Sequence, residues 1–153
     1  MMSWQQKLLK KRKNSMTSNS KVDPAKYVDF VNQVTSQESK DGIAFVNRLR
    51  DLEGDDCEIH RLLTAAVGIS AEGGEFMEIV KKIIFQGKPY SEDNIRHMKI
   101  ELGDVMWYLA QACMALDTDF NELMEMNVNK LSARYPEGTF NVYHSENRKE
   151  GDL

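Results

Sequence analysis

The sequence predicts an all-α fold, a helical bundle of four to five helices. Three observations predict it. Apolar residues recur every three or four positions through most of the chain. Capping and stopping residues stand at the ends of those runs. No run of alternating apolar and polar residues competes as a strand.

The first helix is expected after Asp23-Pro24, with the acid as cap and proline at the first position. Tyr27, Phe30, Val31 and Val34 continue it at helical spacing, and residues 36–41 break it. A second run, Ile43 to Leu52, carries Phe45, Val46 and Leu49 and stops at residues 54–56. A long helix is expected from about Cys57 to Phe85, with Leu62, Ala66, Ile69, Gly73, Phe76, Val80 and Ile83 in one stripe. Gly87 and Pro89 mark the following loop. Ser91, backed by Glu92 and Asp93, starts a helix that runs to about Leu116. Thr118 is the expected cap of a last helix through Phe120, Leu123, Met124, Asn127, Leu131 and Arg134, ended by Pro136 and Gly138. The apolar first half of that helix is expected to face the core.

A length of 153 residues suits one domain. The expected limits are a basic, flexible N-terminal tail over 1–22, a helical domain over 23–140 and a polar, loosely held C-terminal tail over 141–153. The net charge is −4, yet residues 1–13 hold five basic residues and no acid, which leaves −9 on the remainder. An acidic body argues against duplex nucleic acid as a partner and suits a site for cations. No apolar run reaches the roughly 18 residues of a membrane span, and no apolar stretch of signal-peptide type follows the basic N-terminus. A cytoplasmic protein is expected. Cys57 and Cys113 stand far apart without a zinc-type pattern and read as buried free thiols.

The chemistry lies in two acidic pairs. Glu72 and Glu75 are three apart on the long helix, and Glu101 and Asp104 are three apart on the next. That spacing places each pair on one helix face, a turn apart. A short loop at Gly87-Lys88-Pro89 makes the two helices antiparallel neighbours, so four carboxylates can converge between them. His97, Tyr108 and Ala112 share the side of Glu101 and Asp104, and the helix around them is otherwise strongly apolar. Gly68, Gly73, Gly74 and Gly103 have no propensity reason to stand inside helices, which points to close backbone packing. Unpaired buried carboxylates repel one another and take up protons, and a divalent cation relieves both. Oxygen-only ligands favour Mg2+, with Mn2+ as substitute. Magnesium suggests a phosphate substrate. Taken alone, the acids also read as a solvated helix surface.

A basic complement follows on the last helix. Lys130 and Arg134 lie one turn apart and suit a triphosphate clamp, although cations in a last helical turn also match the macrodipole. Lys81, Lys82 and Lys88 read either as phosphate contacts or as a solvated helix end, and Lys88 is kept as a candidate substrate contact. Trp107 reads as core, interface or base-stacking.

Four segments together carry a resemblance: Gly68-Ile-Ser-Ala-Glu72-Gly-Gly-Glu75-Phe, Phe85-Gln-Gly-Lys-Pro89, Glu101-Leu-Gly-Asp104-Val-Met-Trp-Tyr108-Leu, and Lys130-Leu-Ser-Ala-Arg134-Tyr-Pro-Glu-Gly138. In this order they resemble the MazG-like family of all-α nucleoside triphosphate pyrophosphohydrolases, above all its compact single-domain bacterial and phage members. The resemblance spans about residues 57–140. It implies Glu72, Glu75, Glu101 and Asp104 as metal ligands and catalytic acids. It implies Lys130 and Arg134 on the phosphates, Tyr108 on a phosphate and Asn127 near the sugar or base. The implied reaction is attack of water at the α-phosphate of a (deoxy)nucleoside triphosphate, with deoxynucleotides favoured, to yield a monophosphate and pyrophosphate. The family also implies a homo-oligomer, tetramer before dimer. Ala71 departs from the family, which often has a glutamate there. The competing readings are a dUTP- or dCTP-restricted branch or a phosphoribosyl-ATP pyrophosphohydrolase within the fold, a di-iron carboxylate bundle, which lacks its Glu-x-x-His pairs here, and a non-catalytic regulator on the same fold.

Overall fold

The structure is a computed structural model that describes residues 23–147. Among the described residues it is all-α, without a strand. The expected basic, flexible tail of residues 1–22 lies outside the described residues, as do residues 148–153. Seven helices are described: α1 (Pro24–Val34), α2 (Gln37–Lys40), α3 (Gly42–Gly54), α4 (Ile59–Phe85), α5 (Glu92–Ala115), α6 (Phe120–Arg134) and α7 (Val142–Glu146). The chain divides into two compact units, Met1–Arg48 and Leu49–Leu153. No described helix is long and apolar enough to cross a membrane.

In the first unit, helix ends follow side-chain chemistry. The Asp23 carboxylate accepts from the Ala25 N–H at 3.0 Å, with Pro24 behind it. The break at residues 36–41 contains the single-turn α2, and Lys40 donates to the Asn32 carbonyl at 3.1 Å. Asp41 then accepts from Ile43 and Ala44 at 2.8 and 2.9 Å and starts α3.

The second unit is built on α4 and α5, 27 and 24 residues long, the pair of helices that packs extensively. Gly87, at φ +70°, turns the chain after α4. A side chain is strained at that φ. The turn lets the Lys88 N–H reach back to the Lys82 carbonyl at 3.1 Å. Ser91 accepts from the Asn94 N–H at the start of α5. Three contacts fix the antiparallel register: Glu72 meets Glu101 and Asp104, Gly68 meets Tyr108, and Arg61 donates to Gln111 at 2.7 Å.

The contact face of α4 runs through the buried Ala65, Gly68 and Ile79, with Ile69, Glu72, Phe76 and Ile83 half-buried beside them. This shifts the expected stripe: Ala66 and Gly73, both assigned to it, are exposed. The glycine expectation is corrected with it. Only Gly68 is a close approach. A Cβ there would overlap the Tyr108 ring, whereas one at Gly73, Gly74 or Gly103 would meet open space.

Two further expectations change. Asp119, not Thr118, caps α6, accepting from Asn121 and Glu122 at 2.8 and 2.9 Å, because a carboxylate one residue closer reaches both N–H groups. Thr118 instead pairs with the Glu122 carboxylate. The apolar side of α6 is not covered: Phe120, Met124 and Leu131 remain 37%, 58% and 39% exposed. Among the described residues, Leu109 forms a groove with Phe120, Leu123 and Met124, and Leu131 lines a second one with Tyr135 and Phe140. Cys113 is buried and Cys57 half-buried, both as free thiols. Part of the expected C-terminal tail forms α7, capped by Asn141 on the Tyr143 N–H.

Replacing Gly68 with alanine forces the Tyr108 ring out of its seat and is expected to cost about 1–3 kcal/mol, the usual range for overpacking. Gly73→Ala meets nothing and gains up to about 1 kcal/mol of helix propensity. Urea denaturation of both variants checks the contrast; equal effects would remove Gly68 as the close-approach point.

Candidate functional site

The site lies midway along the α4–α5 pair. Glu72 comes from α4, and Glu101 and Asp104, a turn apart, come from α5. One carboxylate oxygen of each lies within 4.8 Å of the others. Glu101 is buried at 5% exposure, Glu72 half-buried and Asp104 exposed. The triad thus opens from a buried floor to a solvent-facing rim. A cavity of about 290 Å³ lies over it, lined by Glu72, Asp104, Trp107 and Tyr108. The Tyr108 ring is seated on Gly68. Trp107 stands edge-on to it with centroids 4.9 Å apart and is 55% exposed.

Crowding acids together has an electrostatic cost, and Glu72 carries it. Loss of solvent pushes its carboxyl above the usual value, and the charges of Glu75, Asp104 and Glu101, with a hydrogen bond to Glu101, push it further. Glu78, a turn and a half along α4, is held below the usual value by its hydrogen bond to Lys81, with Lys82 at 3.3 Å.

The sequence-derived residues are distributed as follows. Glu72, Glu101 and Asp104 come together. Glu75 is exposed and lies outside that triad, yet close enough to act on Glu72. Tyr108 lines the cavity. Asn127 lies elsewhere, on the apolar groove with Leu109, Phe120 and Leu123. Lys130 is exposed on α6 and Arg134 half-buried at its end. Lys88 is half-buried in the α4–α5 loop. None of these last four lines the cavity over the triad.

Sequence reasoning placed His97 on the side of Glu101 and Asp104 but gave it no role. His97 Nε2 lies 2.7 Å from Glu101 Oε1. The four-residue spacing between them was the available signal. Three hard oxygen donors converging on one point, with one proton affinity raised by the others, are a donor set fit for a divalent cation of the magnesium type.

Fold and site together define an all-α protein with a carboxylate cluster between two antiparallel helices, able to hold a metal ion beside an aromatic-walled cavity. Residues 61–139, just over half of the chain, match the MazG nucleotide pyrophosphohydrolase domain, and the chain belongs to that family. It is also 36% identical over 85 residues to "Gene 37 protein" of Mycobacterium phage L5, covering 54% of this chain and 75% of that protein. No solved structure matches the chain.

The raised Glu72 carboxyl sets a pH dependence. A carboxyl with a folded value above its ordinary 4.5 favours the folded state when protonated. Its ionisation therefore destabilises the metal-free protein as pH rises from 4.5 through the raised value. Glu72→Gln is expected to melt higher than the parent at pH 7 without metal, and the gap is expected to close below pH 4.5. Differential scanning calorimetry of both proteins across pH reads the gap, to which the acids coupled to Glu72 also contribute. A gap independent of pH would mean that Glu72 is not strained by its neighbours.

Proposed function

We propose that this chain is a Mg2+-dependent nucleoside triphosphate pyrophosphohydrolase, with Mn2+ as a substitute and deoxynucleotides favoured, whose catalytic body spans residues 23–140. The observation that carries the proposal is the convergence of Glu72, Glu101 and Asp104 within 4.8 Å beneath an open cavity. Membership of the MazG family supports the same reaction class.

Glu72, Glu101 and Asp104 would hold the cation, with Glu75 at the rim. The bound cation would supply charge neutralisation for the phosphates and lower the cost of ionising water. The chain's own groups supply the rest. A carboxylate of Glu72 or Glu75 orients a water and accepts its proton as the oxygen attacks the α-phosphorus. The bond from that phosphorus to the α–β bridging oxygen breaks, and pyrophosphate leaves with the electron pair. Tyr108, Lys88, Lys130 and Arg134 are the proposed phosphate contacts and Asn127 the contact to sugar or base. Trp107, exposed on the cavity wall, offers a face to the base.

The apolar surface supports a homo-oligomer, tetramer before dimer. Among the described residues only Ala65, Ile79 and Cys113 are buried apolar side chains, whereas Val67, Met77, Leu102, Met106, Met124 and Val128 are between 48% and 64% exposed. So small a core does not offset the conformational entropy of long ordered helices. Light scattering is expected to show a multimer at micromolar concentration, and Met106→Glu or Met124→Glu is expected to lower both the assembly size and the melting temperature. A stable monomer with a sharp melting transition would contradict this reading.

Turnover is tested with a panel of NTPs and dNTPs, with and without Mg2+. The expected products are monophosphate and pyrophosphate, formed only with metal, and lost by at least about 100-fold in Glu101→Gln/Asp104→Asn. Release of orthophosphate would assign the wrong bond. A well-folded protein that turns over no nucleotide would favour a regulatory protein on the same fold.

A further inference from the structure

We infer that His97 is a positioning residue that holds the buried carboxylate of Glu101 in its ligating orientation. This rests on the metal-dependent reading above and adds to the site a residue outside the acidic motifs. Glu101 is the sole buried charged side chain among the described residues. A carboxylate so placed requires hydrogen-bond partners, or it rotates toward solvent or takes a proton. It has two. The His97 Nε2 group lies 2.7 Å from Oε1 from one helical turn earlier, and Glu72 bonds it from α4. The second partner is itself an acid and shares the repulsion of the cluster. His97 is the one donor that belongs to no acid, and being half-exposed at 51% it is not held there by burial. A donor on one oxygen sets the plane of the carboxylate, as outer partners do for ligands in metal centres.

The alternative is an ordinary i,i+4 helix pair, which supports the helix weakly and contributes nothing to the metal. The two roles separate experimentally. Full-length parent, His97→Ala, His97→Gln and His97→Asn proteins are titrated with Mn2+, free ion being followed by electron paramagnetic resonance. Pyrophosphate release is then measured across a Mg2+ series. Loss of the donor is expected to weaken Mn2+ binding by about 10-fold or more. The activity deficit is expected to shrink as Mg2+ is raised, so that the loss falls on metal affinity more than on kcat. His97→Gln, whose amide nitrogen reaches as far as Nε2, is expected to recover most of the affinity, whereas the shorter His97→Asn is not. That last pair decides the matter even if the alanine variant folds poorly. Parent-like Mn2+ affinity in His97→Asn, or equal losses in Gln and Asn variants, overturns the role of His97 and leaves the metal site standing. A parent protein that binds no Mn2+ overturns the metal reading and this inference together.

Discussion

At Gly68 the backbone of α4 lies bare against the ring of Tyr108, and the spacing of the two long helices is set there. Four residues along α4 stands Glu72, and one turn before Tyr108 on α5 stands Asp104, so the same close approach brings the carboxylates within 4.8 Å. Charge repulsion would drive the helices apart at that level. Apolar burial at Ala65 and Ile79 and the Arg61–Gln111 hydrogen bond resist it on either side. The site is therefore a local strain held within a longer contact, and a cation turns the strain into attraction. This is the usual relation between a functional centre and the scaffold that tolerates it.

The two helix faces divide the work. The inner face of α4 sets small residues and an acid, Ala65, Gly68 and Glu72, among the apolar Ile69, Phe76, Ile79 and Ile83. The outer faces also carry apolar bulk, with Val67, Met77, Leu102, Met106 and Trp107 exposed. A helix with one solvated face normally keeps such residues to one side. Methionines suit such surfaces, since an unbranched thioether adapts to an irregular partner.

Much of the fold was legible in sequence because it is punctuated by local chemistry. Asp23-Pro24, Ser91 and Gly87-Lys88-Pro89 act on their nearest neighbours, and the structure places helix ends where they stand. The Thr118 expectation failed by one residue because Thr118 and Asp119 are both competent caps, and only geometry selects between them. The phase of the α4 stripe failed because a glycine and a glutamate, Gly68 and Glu72, lie on the contact face, where hydrophobicity alone does not look for them. At the site, the acidic spacing predicted which faces meet. It did not predict that Glu75 would stand off from the other three, since two acids a turn apart on one helix diverge by tens of degrees. Residues on α6 were harder still: their position relative to the acids depends on packing that no motif encodes.

The contacts that assemble the acidic cluster all lie within one hairpin, between helices joined by residues 86–91. Closing so short a loop costs little chain entropy, and helical hairpins of low contact order form in microseconds to milliseconds. Translation at about 5–20 residues per second takes on the order of a second to add α6 behind them. The acidic cluster is thus assembled while the chain is still being made, and the exposed apolar sides of the two helices are wetted from the start. Synthesis of this protein has a built-in order: the acidic hairpin closes first, and α6 arrives behind it.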